Sequence, residues 1–310
     1  MSVLISGSLA FDTIMVFHDR FKNHILPEQV HILNVSFLVP QLRKEYGGCA
    51  GNIAYNLSLL GGNGIPLATA GADFEPYQTW LEGHGVSCEF IRMIPDNYTA
   101  QAYITTDADD NQITAFHPGA MSQSHLVEVP ANIGARVGIV APNGREGMLA
   151  HAAQFQAAGI PFIFDPGQGL PMFDGKDLLG FVEQASWVAV NDYESQLLQE
   201  RTGLTLGELA QRVQGLIVTR GAAGSCIYTD GGRIDIPAVA PEMLLDPTGC
   251  GDAYRAGLLY GLTNDLGWQV TGRIASLMGS IKVAHHGTQN HRFTMDEFRA
   301  RYRDAFGSDF

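Results

Sequence analysis

The sequence predicts a doubly wound α/β fold: a mostly parallel sheet with helices on both faces, carrying a small β-sheet lid. Three observations predict it. From about residue 120 onward, short continuous apolar runs alternate with amphipathic stretches, as buried parallel strands and their covering helices do. Glycine-bearing turns close several of those runs, where such folds bind ligands. Two strand-rich regions, about residues 13–46 and 97–121, lack intervening helices and read as one appended sheet.

The 310 residues suit one such domain with its lid, and 45% hydrophobic content supplies a large core. No apolar run is long enough to cross a membrane. A net charge of −13 argues against a general nucleic-acid binder, though a local nest of N–H groups can still hold a small anion. Cys49, Cys88, Cys226 and Cys250 show no metal or redox spacing, which points to a reduced, cytoplasmic protein.

The first apolar run, residues 2–9, reads as a strand ending at Gly7-Ser8, with Asp12 just beyond as a ligand-site or solvated loop acid. Its lack of a basic flank separates it from a signal peptide. The pattern from Thr13 to Tyr46 is mixed, with residues 30–39 partly alternating and rich in β-formers, so this region is expected to supply strands of the small sheet. Glycines 47 and 48 precede an apolar helix that Gly61-Gly62 stops. Small residues there allow either a ligand or the sheet to approach, and Asn52 in the first turns offers a donor and an acceptor. Residues 66–71 read as a strand and 74–83 as a helix; 100–106 and 112–117 form a hairpin around a polar turn at 107–111. Strands follow at 137–141, 161–165, 187–191 and 216–220, with helices at 145–158, 176–184, 194–201 and 206–213. A second hairpin spans 225–228 and 233–236, and helices at 250–262, 268–285 and 294–304 end the chain. The histidines, among them His117, His285 and His286, lack an acid at ligand spacing and read as surface or pocket-wall residues.

The chemistry concentrates in Asp246-Pro247-Thr248-Gly249-Cys250-Gly251-Asp252, which runs straight into an apolar helical pattern. Its glycines permit unusual backbone angles, and the helix adds free N–H groups and the positive end of its dipole. The product is an anion site with the Asp252 carboxylate on its edge. A helix-capping role is the plainer reading of Asp252. Thr219-Arg220-Gly221-Ala222-Ala223-Gly224 closes another strand with a tight turn able to line a nucleotide or simply to reverse the chain. There is no P-loop, protein-kinase loop, nucleophile elbow or zincin motif.

The 246–252 segment resembles the C-terminal Asp-Thr-x-Gly-x-Gly-Asp signature of the ribokinase-like (PfkB) sugar and nucleoside kinases, with Pro247 the one departure. Gly47-Gly48-Cys49-Ala50-Gly51-Asn52 is similar to the family's N-terminal Gly-Gly…Asn signature. Gly7-Ser8 with Asp12, Asn191-Asp192-Tyr193-Glu194, and Thr219–Gly224 match further family patterns in order, so the likeness spans nearly the whole chain.

The resemblance implies a single kinase domain over residues 1–310, with a discontinuous lid, and ATP γ-phosphoryl transfer to a primary hydroxyl. It makes Asp252 the base and Gly249, Cys250 and Gly251 donors to the transferred group. Asp12 would hold sugar hydroxyls, with Gly48 and Asn52 beside it. Asn191, Thr219, Gly221 and Gly224 would line the ATP, and Glu194 would reach Mg²⁺ through water. Asp246 and Thr248 match positions of a monovalent-cation (K⁺) site whose other ligands are backbone carbonyls. The lid aromatics Phe37, Tyr103, Phe116 and His117, with Met121, either stack on a base, Phe116 foremost, or form lid core. The 47–57 segment, which lacks the Lys common in ribokinases, and Asp165-Pro166-Gly167-Gln168 look closer to nucleoside kinases. A nucleoside is therefore the expected acceptor, ribose or another sugar the alternative, and a non-catalytic nucleoside-binding regulator the reading from a different class. An exposed lid sheet further suggests a homodimer through the lid.

Overall fold

A computed structural model describes residues 2–25, 32, 34–109 and 111–310. The chain starts in β1 (Ser2–Ser6) and passes at once into the small sheet through β2 (Ala10–Val16) and β3 (Gln41–Gly47). It returns through α1 (Cys49–Leu59), β4 (Asn63–Gly71), α2 (Glu75–Gly83) and β5 (Ile91–Ile94), then re-enters the small sheet with β6 (Ala100–Thr106) and β7 (Gln112–His117). Regular alternation follows: β8 (Ala135–Val140), α3 (Arg145–Ala157), β9 (Phe162–Phe164), α4 (Gly175–Gln184), β10 (Trp187–Asn191), α5 (Asp192–Thr202), α6 (Leu206–Ala210) and β11 (Gly215–Thr219). The hairpin β12 (Ser225–Thr229) and β13 (Gly232–Ile236) precedes α7 (Cys250–Thr263), α8 (Trp268–Val283) and α9 (Met295–Phe306).

The large sheet has nine strands in the order β13-β12-β11-β10-β9-β8-β1-β4-β5. All pairs from β11 to β5 are parallel, and β12 alone runs against them, antiparallel to both β11 and β13. Its central strands are apolar on both faces because each face is covered. One core holds Ile5, Ile139, Ala189 and Ile217 under α1 and α7. The other holds Leu4, Val140, Val188 and Leu216 with Phe155, Phe181 and Leu198. This is the doubly wound arrangement expected from the continuous strand runs.

The small sheet has the order β3-β2-β6-β7, with β2–β6 parallel and its other pairs antiparallel. Within the region from 13 to 46, β2 and β3 supply strands, whereas the β-rich residues 30–39 supply none in their described part. Residues 34–39 alternate in exposure but pair with no strand, and Phe37 instead packs on Phe17 and Phe21, with ring centroids 4.8 and 5.1 Å away. Residues 26–31 and 33 lie outside the described residues. Phe37 is thus part of an aromatic cluster beside the small sheet. Strand β5 was not foreseen, being four residues at the sheet edge with two exposed.

Candidate active site

Gly249 caps the N-terminus of α7 with φ +77°, a conformation that costs a residue with a Cβ dearly. A Cβ there would also meet Thr288 at 2.9 Å. The preceding loop is anchored by Asp246, whose Oδ1 accepts from the Thr248 N–H (2.9 Å) and Oδ2 from the Gly287 N–H (2.9 Å). So the first turn of α7 is aimed by its own loop, within which the Cys250 N–H donates to the Pro247 carbonyl oxygen (3.2 Å). Gly251 is exposed with open space above it.

Asp252, in that first turn, is partly buried and accepts from Asn52 Nδ2 at 2.8 Å. Burial chiefly, with Asp165 nearby, lifts its pKa from 3.8 to about 7 against the pull of Asn52 and Arg255. Asn52 is fixed in turn: its Oδ1 accepts from Gln289 Nε2 (2.9 Å), and Gln289 Oε1 accepts from Trp80 Nε1 (3.0 Å). Gln289 Nε2 also reaches the Tyr77 hydroxyl (2.6 Å), which donates to the Gly47 carbonyl (2.8 Å). This chain links α1, α2 and the segment after α8 to one carboxylate.

Gly48, with φ +85°, begins α1 directly against the β1–β2 connection, where a Cβ would sit 2.6 Å from the Ser8 carbonyl oxygen. The Cys49 and Ala50 N–H groups donate to Ser8, so the two glycine-bearing turns are stitched together. Burial holds the Cys49 thiol well above its ordinary range, and pushes Cys250 up to about 11, so both stay protonated at neutral pH.

Asp12 lies on β2, its carboxyl against Gly47. Burial, then Glu45, then Asp246 raise its pKa from 3.8 to about 6. Register puts Glu45, Asp12, Ala102 and Phe116 in one row across the small sheet. Directly opposed residues share a face, so Phe116 stands on the Asp12 face about 10 Å away, two strands over. It is 52% exposed. Tyr103, one residue on from Ala102, stands on the other face.

A cavity of about 480 Å³ opens along α7. Asn191, Thr219, Gly221, Gly224, Cys250 and Gly251 line it together, with Val239, Leu244 and Val283 as apolar wall. Asn191 ends β10 and caps α5: its side chain accepts from the Glu194 N–H (2.7 Å), while Glu194 Oε2 accepts from the Asn191 N–H (2.8 Å). Glu194 therefore keeps one carboxylate oxygen uncommitted, and burial, then Asp165, raise its pKa.

Several buried polar residues near the site lie outside the sequence motifs. Arg255, one turn beyond Asp252, is 4% exposed and pairs through two 3.1 Å bonds with Asp165. Its Nη1 has no hydrogen-bond partner. A lone arginine inside Ala-Tyr-Arg-Ala-Gly-Leu-Leu was the available signal, since a charge on an apolar helix needs a buried partner. Gln289 had no such signal. His151 and His291 are fully buried, not surface residues, and hydrogen-bond Ser6 and Asn56. Burial depresses the His291 pKa to about 3, which keeps the ring neutral.

A profile described as pfkB family carbohydrate kinase matches residues 9–294. The nucleoside kinase of Methanocaldococcus jannaschii is 33% identical over 267 residues, which cover 85% of this chain and 87% of the relative. That of Methanothermobacter thermautotrophicus is 31% identical over 301 residues, covering 96% and 97%. Among solved structures, Burkholderia thailandensis nucleoside kinase in complex with inosine superposes with a TM-score of 0.92 at 50% identity, over 99% of this chain and 100% of that one. The same enzyme in complex with ADP-inosine gives 0.88 at 52% identity, over 99% and 97%.

Proposed function

The chain belongs to the pfkB family of carbohydrate kinases, and on that premise we propose that it transfers the γ-phosphoryl group of ATP to the 5′-hydroxyl of a nucleoside. The observation that carries this reading is the Asn52-held Asp252 carboxylate at the N-terminus of α7, beside a cavity that Cys250 and Gly251 share with Asn191, Thr219, Gly221 and Gly224.

In this reading the nucleotide lies in the cavity, its phosphates toward Gly251 and its base against Val239 and Leu244. Asp12 accepts from the sugar hydroxyls, with Gly48 and Asn52 bordering them. Asp252 takes the 5′-hydroxyl proton as that oxygen bonds to the γ-phosphorus and the bond to the bridging oxygen of ADP breaks. Gly249 and Gly251 meet the developing charge with N–H groups and the helix dipole, the two aids that phosphoryl transfer most needs, whereas the Cys250 N–H expected beside them already donates to the Pro247 carbonyl oxygen (3.2 Å). Mg²⁺, when bound, neutralises phosphate charge. Among the described residues no cluster of three or more His, Cys, Asp or Glu side chains could close on an ion alone. The spare oxygen of Glu194 suits an ion that keeps its waters.

A nucleoside is favoured over a bare sugar because the relatives so named span the chain, and because Phe116 stands on the Asp12 face. ADP release is to be measured with inosine, adenosine, cytidine, ribose and fructose. Higher kcat/KM for the nucleosides is expected, and preference for ribose overturns the assignment. Asp252→Asn should lose turnover while still binding inosine. An unaltered protein that binds inosine but releases no ADP is a sensor instead. Pairing of two copies through the small sheet is part of the proposal: Leu42, Tyr103 and Ile113 expose apolar surface on the face opposite Asp12. A monomeric mass in sedimentation at micromolar concentration overturns it.

A further inference from the structure

Lys282, near the C-terminal end of α8, has no exposed surface. A buried ammonium needs partners. Its Nζ donates to the carbonyl oxygen of Asp246 at 2.7 Å and to that of His285 at 3.2 Å, and lies 4.0 Å from Asp246 Oδ1. The two oxygens of that carboxylate already hold the Thr248 and Gly287 N–H groups. Backbone carbonyls and one aspartate beside Thr248 are the ligand set expected of a monovalent-cation site. Here those oxygens surround a side chain's own positive charge, so the residues present do not fit a free K⁺.

We propose that the Lys282 ammonium is this chain's built-in monovalent cation, so that turnover needs no K⁺ from solution. An ammonium is a compact point charge with three donors, close in chemistry to the ion it replaces. It ties the end of α8 to the loop that aims Gly249, Cys250 and Gly251. Its field also reaches both Cys250 and Asp252. Removing it leaves the Asp246 carboxylate without its cation under the turn where phosphoryl charge develops. Lys282 is therefore a positioning residue for the α7 turn, and its effect belongs in kcat more than in KM.

This inference rests on the proposed kinase reading, and its test separates the two. ADP release from ATP and inosine is measured in tetramethylammonium salts with and without saturating KCl, for the unaltered protein, Lys282→Ala and Lys282→Met. The unaltered protein should change by less than about twofold with KCl. Both variants should lose about tenfold or more in kcat, roughly 1.4 kcal/mol. Lys282→Ala, which opens a hole, should recover with KCl or ethylammonium; Lys282→Met, which fills it, should not. Melting curves give a second readout: KCl should raise the melting temperature of Lys282→Ala alone. Strong K⁺ activation of the unaltered protein overturns the proposal. So does full kcat in folded Lys282→Met, or a loss in Lys282→Ala that no cation restores in rate or in melting temperature. Absence of all nucleoside turnover overturns the kinase reading and leaves the melting comparison to decide this one.

Discussion

Asp252 and Asp12 are both carboxylates lifted by burial, and the order of their pKa values makes a pH prediction. A base must be ionised to accept a proton, and a carboxylate binds hydroxyls best when ionised. In the free enzyme log kcat/KM for a nucleoside should climb with a slope approaching two below about pH 6, with a slope of one between 6 and 7, and flatten above. If Asp12 holds the bound nucleoside as proposed, it is already engaged at saturation, and kcat should show only the step near 7. Asp12→Asn should remove the lower step from kcat/KM; a profile flat from pH 5 to 8 would discount both roles. Stability moves the other way. Folding raises the Asp252 pKa from 3.8 to about 7, so its contribution is present below the unfolded value and lost as pH rises through the folded one. Asp252→Asn should therefore melt about 2 °C or more above the unaltered protein at pH 8, and show little gain at pH 4. An unchanged or lower melting temperature at pH 8 would mean that the carboxylate is better solvated than its position suggests.

Two of the three glycines in helix α7 have opposite duties. A Cβ on Gly257 would lie 2.5 Å from the Ala275 Cα, because α7 and α8 touch backbone to backbone there. A Cβ on Gly251 meets nothing within 4 Å, since it faces the cavity. Gly257→Ala should thus cost about 1–3 kcal/mol through forced separation of the helices. Gly251→Ala should hold or raise stability by up to about 1 kcal/mol, as alanine favours helix, yet cut kcat about tenfold or more by covering the anion turn. Denaturation and ADP-release assays on the two proteins decide it; a stable, fully active Gly251→Ala would remove the turn from the chemistry. The same elements mark what the chain's pattern could disclose. Parallel strands such as Trp187–Asn191 were legible because burial on both faces makes them continuously apolar. The Gly249 turn was legible because few residues but glycine tolerate its backbone. Residues 34–39 misled because an extended stretch can alternate in exposure without pairing. The lone charge of Arg255 signalled a buried partner but not which one, and Lys282 and Gln289 carried no signal, since the partners lie 90, 36 and 237 residues away and no local period encodes such contacts.

In the proposed reading the molecule divides its work between two sheets. The cavity lined by Thr219, Gly221 and Gly224 belongs to the large sheet and α7–α8, whereas Asp12 and Phe116 belong to the small one. The two meet where β1 hands the chain to β2 and where β3 hands it to α1 through Gly48. A change confined to the far strand of the small sheet should accordingly touch acceptor recognition and leave the nucleotide alone. Phe116 is half exposed, so its truncation forfeits little folding energy. If its ring stacks on the base, Phe116→Ala should raise KM for inosine about three- to tenfold, the equivalent of about 0.5–1.5 kcal/mol for an aromatic pair. KM for ATP should stay within about twofold and the melting temperature within about 1–2 °C. Ribose supplies the internal control, because it offers Asp12 the same hydroxyls and offers Phe116 no base. Any residual ribose turnover should be the same in both proteins. Equal losses for inosine and ribose would mean that Phe116 shapes the small sheet as a whole, and an unchanged inosine KM would return Phe116 to the lid surface.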